Sequence, residues 1–381
     1  MICFNTKVFE LFHFLDKSSS SSSIFNVPCT FTALHVLFYG SHGKTKNKLM
    51  AHKHFSWLML LYPKLKKHYY KSILTIPSDN YKINNEFLRK IKPIDKNLYL
   101  DYTPTMPHEV NLLNNFIITN NLWKNSFYEM DYKYSPVQLK YKSCLAYGKW
   151  KFQFDKNLTK KQYFYFNQRR PKYMTMMTCQ HPNLILKTYY HNELKSLFID
   201  IPYENDAYSM LIVLPDNVLE KNQLVDKIFN KTRLQLTKDM FYSINGKFTK
   251  YNKMTLPKFC IESEYHLNKE KLRHCDNNDY LLELFGENPP DLGNISKNLN
   301  EEELGLSIHT EFICDEYGIS LPSNNDDDGK ETVIYSESFD NTNTNSNTNT
   351  ELLINKNFAY MITDARNELV VALGVFVGEK K

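Results

Sequence analysis

Two short strings in this chain hold side chains at spacings that could do chemistry. In YPKLKKHYYK, Lys64, Lys67, His68 and Lys71 fall at i, i+3, i+4 and i+7, so on a helix they would line one face. Such a face could hold a polyanion; a plain solvated helix face is the alternative reading. In HKH, at 52–54, two histidines two positions apart would point away from each other on a helix, so no metal site is assigned. The seven cysteines, Cys3, Cys29, Cys144, Cys179, Cys260, Cys275 and Cys314, are scattered, odd in number and contain no C-x-x-C pair. That pattern fits reduced, mostly buried thiols rather than a disulfide framework or a zinc site. No nucleophile string, Gly-rich phosphate loop or clustered carboxylate pair is present, so the expectation is a protein without catalytic residues, metal or cofactor.

The elements that must carry these residues belong to one large domain, 1–381, because nothing before residue 315 reads as a linker. Apolar residues make up 42% of the chain and aromatics 14%, with 26 Tyr and 25 Phe, which supplies a sizeable core. The net charge of +5 is too small to imply nucleic acid without a concentrated patch. No apolar run approaches the roughly 20 residues needed to span a bilayer, so no membrane partner is expected. In MICFNTKVFELFHFLDK, Val8, Leu11, Phe12 and Leu15 have the spacing of an amphipathic helix, and Glu10 and His13 interrupt any signal-peptide core. The expected location is therefore cytoplasmic, or extracellular without a cleavable signal. The N-x-S/T triplets at Asn157, Asn230 and Asn294 matter only if the chain is secreted.

Helical periodicity appears at 29–39 and 53–72, whereas SLFIDIPY, YSMLIVLP and NKMTLPKFCIE read as strands. Helices early and strands late predict an α+β domain rather than a repeating βαβ unit. Two stretches are of low complexity: the serines of DKSSSSSSIF at 16–25, and SFDNTNTNSNTNTE at 338–351. The span from about 319 to 351 has no core-forming pattern, and a loop that long inside a domain is normally functional or disordered. After it, FAYMITDARNELVVALGVFV gives two strand-like runs separated by a polar turn.

Six strings in register carry a specific resemblance. FNVPCTFTALHVLFYGSHGKTKNKLM at 25–50, GKWKFQFD at 148–155, TMM at 175–177, YSMLIVLPD at 208–216, LPKFCIESEYHL at 256–267 and DLGNIS at 291–296 are followed by DEYG at 315–318. In this order the chain resembles a serpin. The resemblance implies three β-sheets with about eight or nine helices, a monomer, and an exposed reactive loop near the C-terminus. It also implies a serine protease as partner: the protease serine attacks the loop to form an acyl-enzyme, and the cleaved loop then enters the large sheet as a strand. Certain serpins bind sulfated polysaccharides through a helix in the region of Lys64, Lys67, His68 and Lys71, so the resemblance implies that class of partner for the basic face. Trp150 matches the breach of the large sheet. Pro28, Thr30, Lys142 and His309 fall near the shutter positions, although Val27 and Lys142 stand where the family has Ser and Asn.

The hinge is the departure that matters most. The family's inhibitors follow the hinge Gly with Thr and small residues, whereas here Glu316 and Gly318 lead into Ile319, Ser320, Leu321, Pro322, Ser323, Asn324, Asn325 and Asp326–Asp328. Inserted, positions 319, 321, 323, 325 and 327 would face inward. Pro322 lacks a donor for a central strand, and Asp327 would bury a carboxylate with no evident partner. From Gly318 to Phe358, the C-terminal signature Phe, there are 40 residues, and that is roughly a dozen more than the common pattern. Counting forward puts the scissile bond near Thr332, within Lys330, Glu331, Thr332 and Val333; counting back puts it near Ser346. Lys330 suits a trypsin-like enzyme, or merely balances the three Asp. Two functions therefore stay open: protease inhibition, and a non-inhibitory role as a binding, carrier or chaperone-like protein.

Overall fold

The computed structural model describes residues 2–16, 21–51, 70–76, 82–95, 98–102, 137–144, 148–167, 170–204, 207–229, 247–272, 279–297, 299, 302–320, 350–364, 366 and 368–378. Its first half holds α1 (Ile2–Leu15), β1 (Ser23–Asn26), α2 (Val27–Gly40), α3 (Gly43–Ala51), β2 (Tyr70–Ile76), α4 (Asn85–Ile91), β3 (Leu98–Tyr102), β4 (Val137–Cys144) and β5 (Gly148–Lys149). There follow β6 (Asp155–Tyr165), β7 (Pro171–Cys179), β8 (Leu184–His191), β9 (Ser196–Pro202), β10 (Tyr208–Pro215), α5 (Lys221–Phe229), β11 (Lys247–Tyr251), β12 (Lys253–Pro257) and β13 (Phe259–Leu267). The last elements are α6 (Lys269–Leu272), α7 (Asp279–Phe285), β14 (Leu304–Cys314), β15 (Gly318–Ser320), β16 (Glu351–Leu353), β17 (Phe358–Asp364) and β18 (Leu369–Phe376). Seven helices thus lie among the described residues, beside the eight or nine expected.

Three sheets organise the strands. One runs β1-β18-β17-β10-β9-β8-β11, a second β16-β12-β7-β6, and the third β3-β2-β4-β14-β15-β5 with β13 on the other edge of β14. The apolar runs of β10, β17 and β18 are buried on both faces, as continuous rather than alternating hydrophobicity requires. α2 starts at an N-cap, Asn26, whose side chain accepts from the Cys29 N–H at 3.1 Å, with Pro28 in the first turn where no donor is needed. Twelve of its residues from Val27 to Phe38 are buried, so this helix is enclosed by the sheets.

One expectation is corrected. The helical periodicity of 53–72 does not extend to its end, because Tyr70–Ile76 is a strand that pairs with both β3 and β4. The alternation of YKSILTI and its two partners override the i, i+3, i+4, i+7 spacing of the basic residues. Lys71 therefore lies on β2, and the four-residue helical face is not formed; Lys64, Lys67 and His68 lie outside the described residues.

α1 docks through Val8, Phe9, Leu11, Phe12 and Leu15, with Phe229 of α5 edge-on to Phe12 at 4.9 Å. At its end a buried carboxylate gathers four elements. Asp16 accepts from Lys221 Nζ at 3.0 Å, Ser23 Oγ at 2.8 Å and Tyr265 OH at 3.1 Å. Burial pushes the Asp16 carboxyl above its ordinary range and the Lys221 amine below its own, against their mutual attraction. The three donors keep the pair from being a buried charge without compensation.

Candidate functional site

β4 and β14 lie side by side, parallel, from Leu304 opposite Val137 to Glu311 opposite Cys144. β13 occupies the other edge of β14 along its whole upper length, through Cys314 opposite Phe259. β15 pairs with β14 antiparallel, Ile313 opposite Ser320 and Cys314 opposite Ile319, so it must take the same edge as β4. The two strands therefore meet end to end on that edge, separated only by Phe312. Any further pairing of the chain beyond Ser320 with β14 requires β4 to leave.

Beneath this seam the alternation of β14 sends Ile308, Thr310, Phe312 and Cys314 into the core and leaves His309, Glu311 and Ile313 half-buried on the outer face. Thr310 Oγ1 lies 3.1 Å from Ser143 Oγ of β4, a buried hydrogen bond across the seam. The α2 N-terminus packs below: Thr30 Oγ1 donates to Asn26 O at 2.8 Å. Burial pushes the Cys29 thiol up far from its ordinary range, against a hydrogen bond from Ser143 and with the Asp95 charge adding to the rise. Asp95 in turn accepts from Tyr141 OH at 2.8 Å. Two polar pairs thus lie under the sheet, Ser143 with Thr310 and Tyr141 with Asp95, and Ser143 Oγ also donates to the His309 carbonyl at 3.3 Å.

The hinge above is built by a tight turn. Asp315 Oδ1 accepts from the N–H of Tyr317 at 2.9 Å and of Gly318 at 3.2 Å, and Asp315 N donates to Gly318 O at 3.0 Å. A Cβ on Gly318 would sit 2.1 Å from Gly148 O, so glycine is required where β15 crosses β5. Trp150 lies beneath: its Nε1 donates to Asp315 O at 2.9 Å, its N–H to Tyr317 O at 2.8 Å, and its ring stacks on Tyr203 at 4.8 Å. Glu316 turns inward to Lys258 Nζ at 2.7 Å. Burial works against the Glu316 charge, but the hydrogen bonds from Lys258 and Thr159 and the Lys258 charge outweigh it and hold the carboxyl below the usual range. Lys156 sits over the exposed Tyr317 ring at 4.6 Å and covers the turn from outside.

Of the residues singled out from the sequence, Glu316, Gly318, Ile319 and Trp150 come together at the hinge. Pro28 and Thr30 stand at the start of α2 beneath the seam. His309 faces outward, opposite Lys142 in the register, so the inward partner of Ser143 is Thr310. Leu321, Pro322, Lys330, Glu331, Thr332 and Val333 lie outside the described residues. Ser143, Thr310 and Lys258 were not foreseen; the phase of alternation counted back from Cys314 would have identified Thr310 as inward. The arrangement can hold one end of a strand against a closed sheet.

The comparisons with known proteins agree with this geometry. A family model described as Serpin (serine protease inhibitor) matches residues 142–378. Serpin B5 of Xenopus tropicalis is 26% identical over 238 residues, 61% of this chain but only 54% of the relative, about half its length. Serpin B5 of Xenopus laevis is 25% identical over 334 residues, 81% of this chain and 82% of the relative. Leukocyte elastase inhibitor of Homo sapiens is 26% identical over 166 residues, 44% of this chain and 41% of that protein. Among solved structures, thyroxine-binding globulin in complex with thyroxine superposes with a TM-score of 0.73 at 14% identity, covering 100% of both chains. Serpin48 of the insect Tenebrio molitor gives 0.71 at 15% identity, over 99% of this chain and 97% of that one.

Proposed function

Because the chain belongs to the serpin family, we propose that it is a non-inhibitory member, a binding protein whose segment 321–349 is cut by a serine-type endopeptidase as a substrate without completing insertion. The observation that carries this reading is the register of β15 on β14. Ser320 opposite Ile313 and Ile319 opposite Cys314, continued down the same edge, bring Leu321 opposite Phe312, Ser323 opposite Thr310, Asn325 opposite Ile308 and Asp327 opposite Leu306. Directly opposed residues share a face, and these four partners all point into the core. Asp327 would meet Leu304, Leu306 and Ile308 of β14 and Leu139 of β4, all buried and apolar. Pro322 would fall opposite Glu311 without a donor in a strand flanked on both sides.

A second reading, inhibition of a serine-type endopeptidase, is favoured by the same hinge: β15 already occupies the edge that an inserting strand extends, with Ile319 buried. The family covers both outcomes, since one relative is named as an elastase inhibitor and a protein of the same fold is solved with thyroxine. Thermal unfolding of the intact and loop-nicked protein, with a denaturing gel of the same digests, separates the two. No rise in Tm and no SDS-resistant protease adduct is expected. A large rise with an adduct would establish a working inhibitor instead.

A further inference from the structure

The net charge of the chain is +5, yet residues 156–179 alone carry Lys156, Lys160, Lys161, Arg169, Arg170 and Lys172 with no Asp or Glu. Lys156, Lys160 and Lys161 lie on β6 and Lys172 on β7, two antiparallel strands in which Lys161 is opposite Thr175, Tyr163 opposite Tyr173 and Tyr165 opposite Pro171. Phe164 points the other way and packs on Phe376 at 5.4 Å, which fixes the outward face. On that face Tyr163 and Tyr173, 50% and 64% exposed, stack at 4.5 Å and share a hydroxyl hydrogen bond of 2.9 Å. Two mutually braced rings lose little entropy on binding, which suits a contact surface. Among the described residues no acidic side chain lies within ion-pair distance of Lys160, Lys161 or Arg170, all of them exposed.

β6 is also the end strand of its sheet: among the described residues its strand partner is β7, and on the outer edge Tyr165 alone is bridged, to Lys356, so the backbone of 161–163 presents an open edge. Lysines on an edge discourage pairing with a copy of the same strand, since like charges would face each other. An acidic strand meets no such barrier. We infer that the outer edge of β6, with Lys160, Lys161 and the Tyr163–Tyr173 pair, is a docking site for an extended acidic peptide segment of a partner protein, which adds to the sheet as a fifth strand. A polysaccharide or a nucleic acid could use the cations but not the open ladder of N–H and C=O groups, and this favours a peptide. The site begins just beyond Lys156 and Thr159, the β6 residues that touch Tyr317 and Glu316 of the hinge, and its backbone ladder does not require the loop to insert.

The test uses fluorescence anisotropy of the full chain with a labelled peptide of alternating Glu and Thr, with heparin and oligo(dT) as competitors. Saturable binding is expected, weakened at least about tenfold by Lys160→Glu with Lys161→Glu, the charge term that dominates such encounters. Tyr163→Ala should weaken it too, and a peptide N-methylated at alternate residues should lose binding. The unchanged Tm of each variant confirms folding. The inference is overturned if the peptide does not bind, if the charge reversals leave its affinity unchanged, if the N-methylated peptide binds equally well, or if only heparin or oligo(dT) binds.

Discussion

Replacing Asp327 by Ala should turn a refused strand into an accepted one at neutral pH, and the size of the effect can be worked out. In the register set by Ser320 opposite Ile313, the side chain at 327 enters among Leu304, Leu306, Ile308 and Leu139. A charged carboxylate there has no partner, so it would enter as the neutral acid. An aspartate titrates near ~3.9 in water and each pH unit is worth about 1.4 kcal/mol, so protonation at pH 7 costs about 4 kcal/mol. The inserted form binds one more proton than the exposed form. Insertion is therefore favoured as pH falls, and the penalty fades as pH approaches about 4. For a chain of this length the unfolding entropy makes 4 kcal/mol worth about 5 °C in Tm. The assay is the Tm difference between nicked and intact protein, measured for wild type and for Asp327→Ala from pH 7 down to pH 5. Pro322→Ala should add about 1 kcal/mol by restoring one ladder hydrogen bond. If nicked wild type gains as much Tm at pH 7 as the variant, with no dependence on pH, the reasoning about the register is wrong.

Three further outcomes follow from the hinge and the core. Gly318→Ala forces a methyl group against Gly148 O and should destabilise the β15–β5 crossing by about 2 kcal/mol or more, read as lost amide protection at Ile319 and Ser320. The Glu316 carboxyl is held below its usual range, so its contribution is present above the unfolded value and is lost as pH falls through the lower folded one. Glu316→Gln should remove that acid-side step and cost about 1–2 kcal/mol at pH 7, less than a fully buried pair because the Lys258 side chain is 43% exposed. Burial pushes the Cys179 thiol to about 11 and raises Cys29 and Cys314 as well, so iodoacetamide at pH 8 should label the exposed Cys260 and spare these three in the folded protein. Labelling of Cys314 at the same rate as Cys260 would contradict the burial of β14.

Much of the architecture was legible because it is written in local pattern. The continuous apolar runs of β10 and β17–β18 and the capped start of α2 needed no knowledge of partners. The run at 53–72 misled because a basic segment with helical spacing passes into YKSILTI, where alternation takes over and two strand partners decide the outcome. The hinge glycine was legible as a punctuation mark; its reason, the carbonyl of Gly148, lies 170 residues away in sequence and was not. Lys258 was invisible for the same cause, being brought to Glu316 only by the sheet. His309 attracted notice as a histidine near the expected place, but one step in a strand exchanges faces, and the neighbouring Thr310 is the residue that meets Ser143.

The sheet containing β1 closes the beginning of the chain on its end. Ser23–Asn26 pairs with Ala372–Val375, and Asn5 donates to Glu368 O and accepts from Val370 N–H. At roughly 5–20 residues per second a ribosome takes about 20–70 s to supply the second partner after the first. During that interval β1 lacks the strand it pairs with, and α1 lacks its anchors at Glu368 and Val370, although Phe229 and Tyr265 are already present for Phe9, Phe12 and Phe25. Connectivity thus makes the β1–β18 pairing one of the last to form in synthesis, and the outer strand of this sheet waits unpaired for its neighbour.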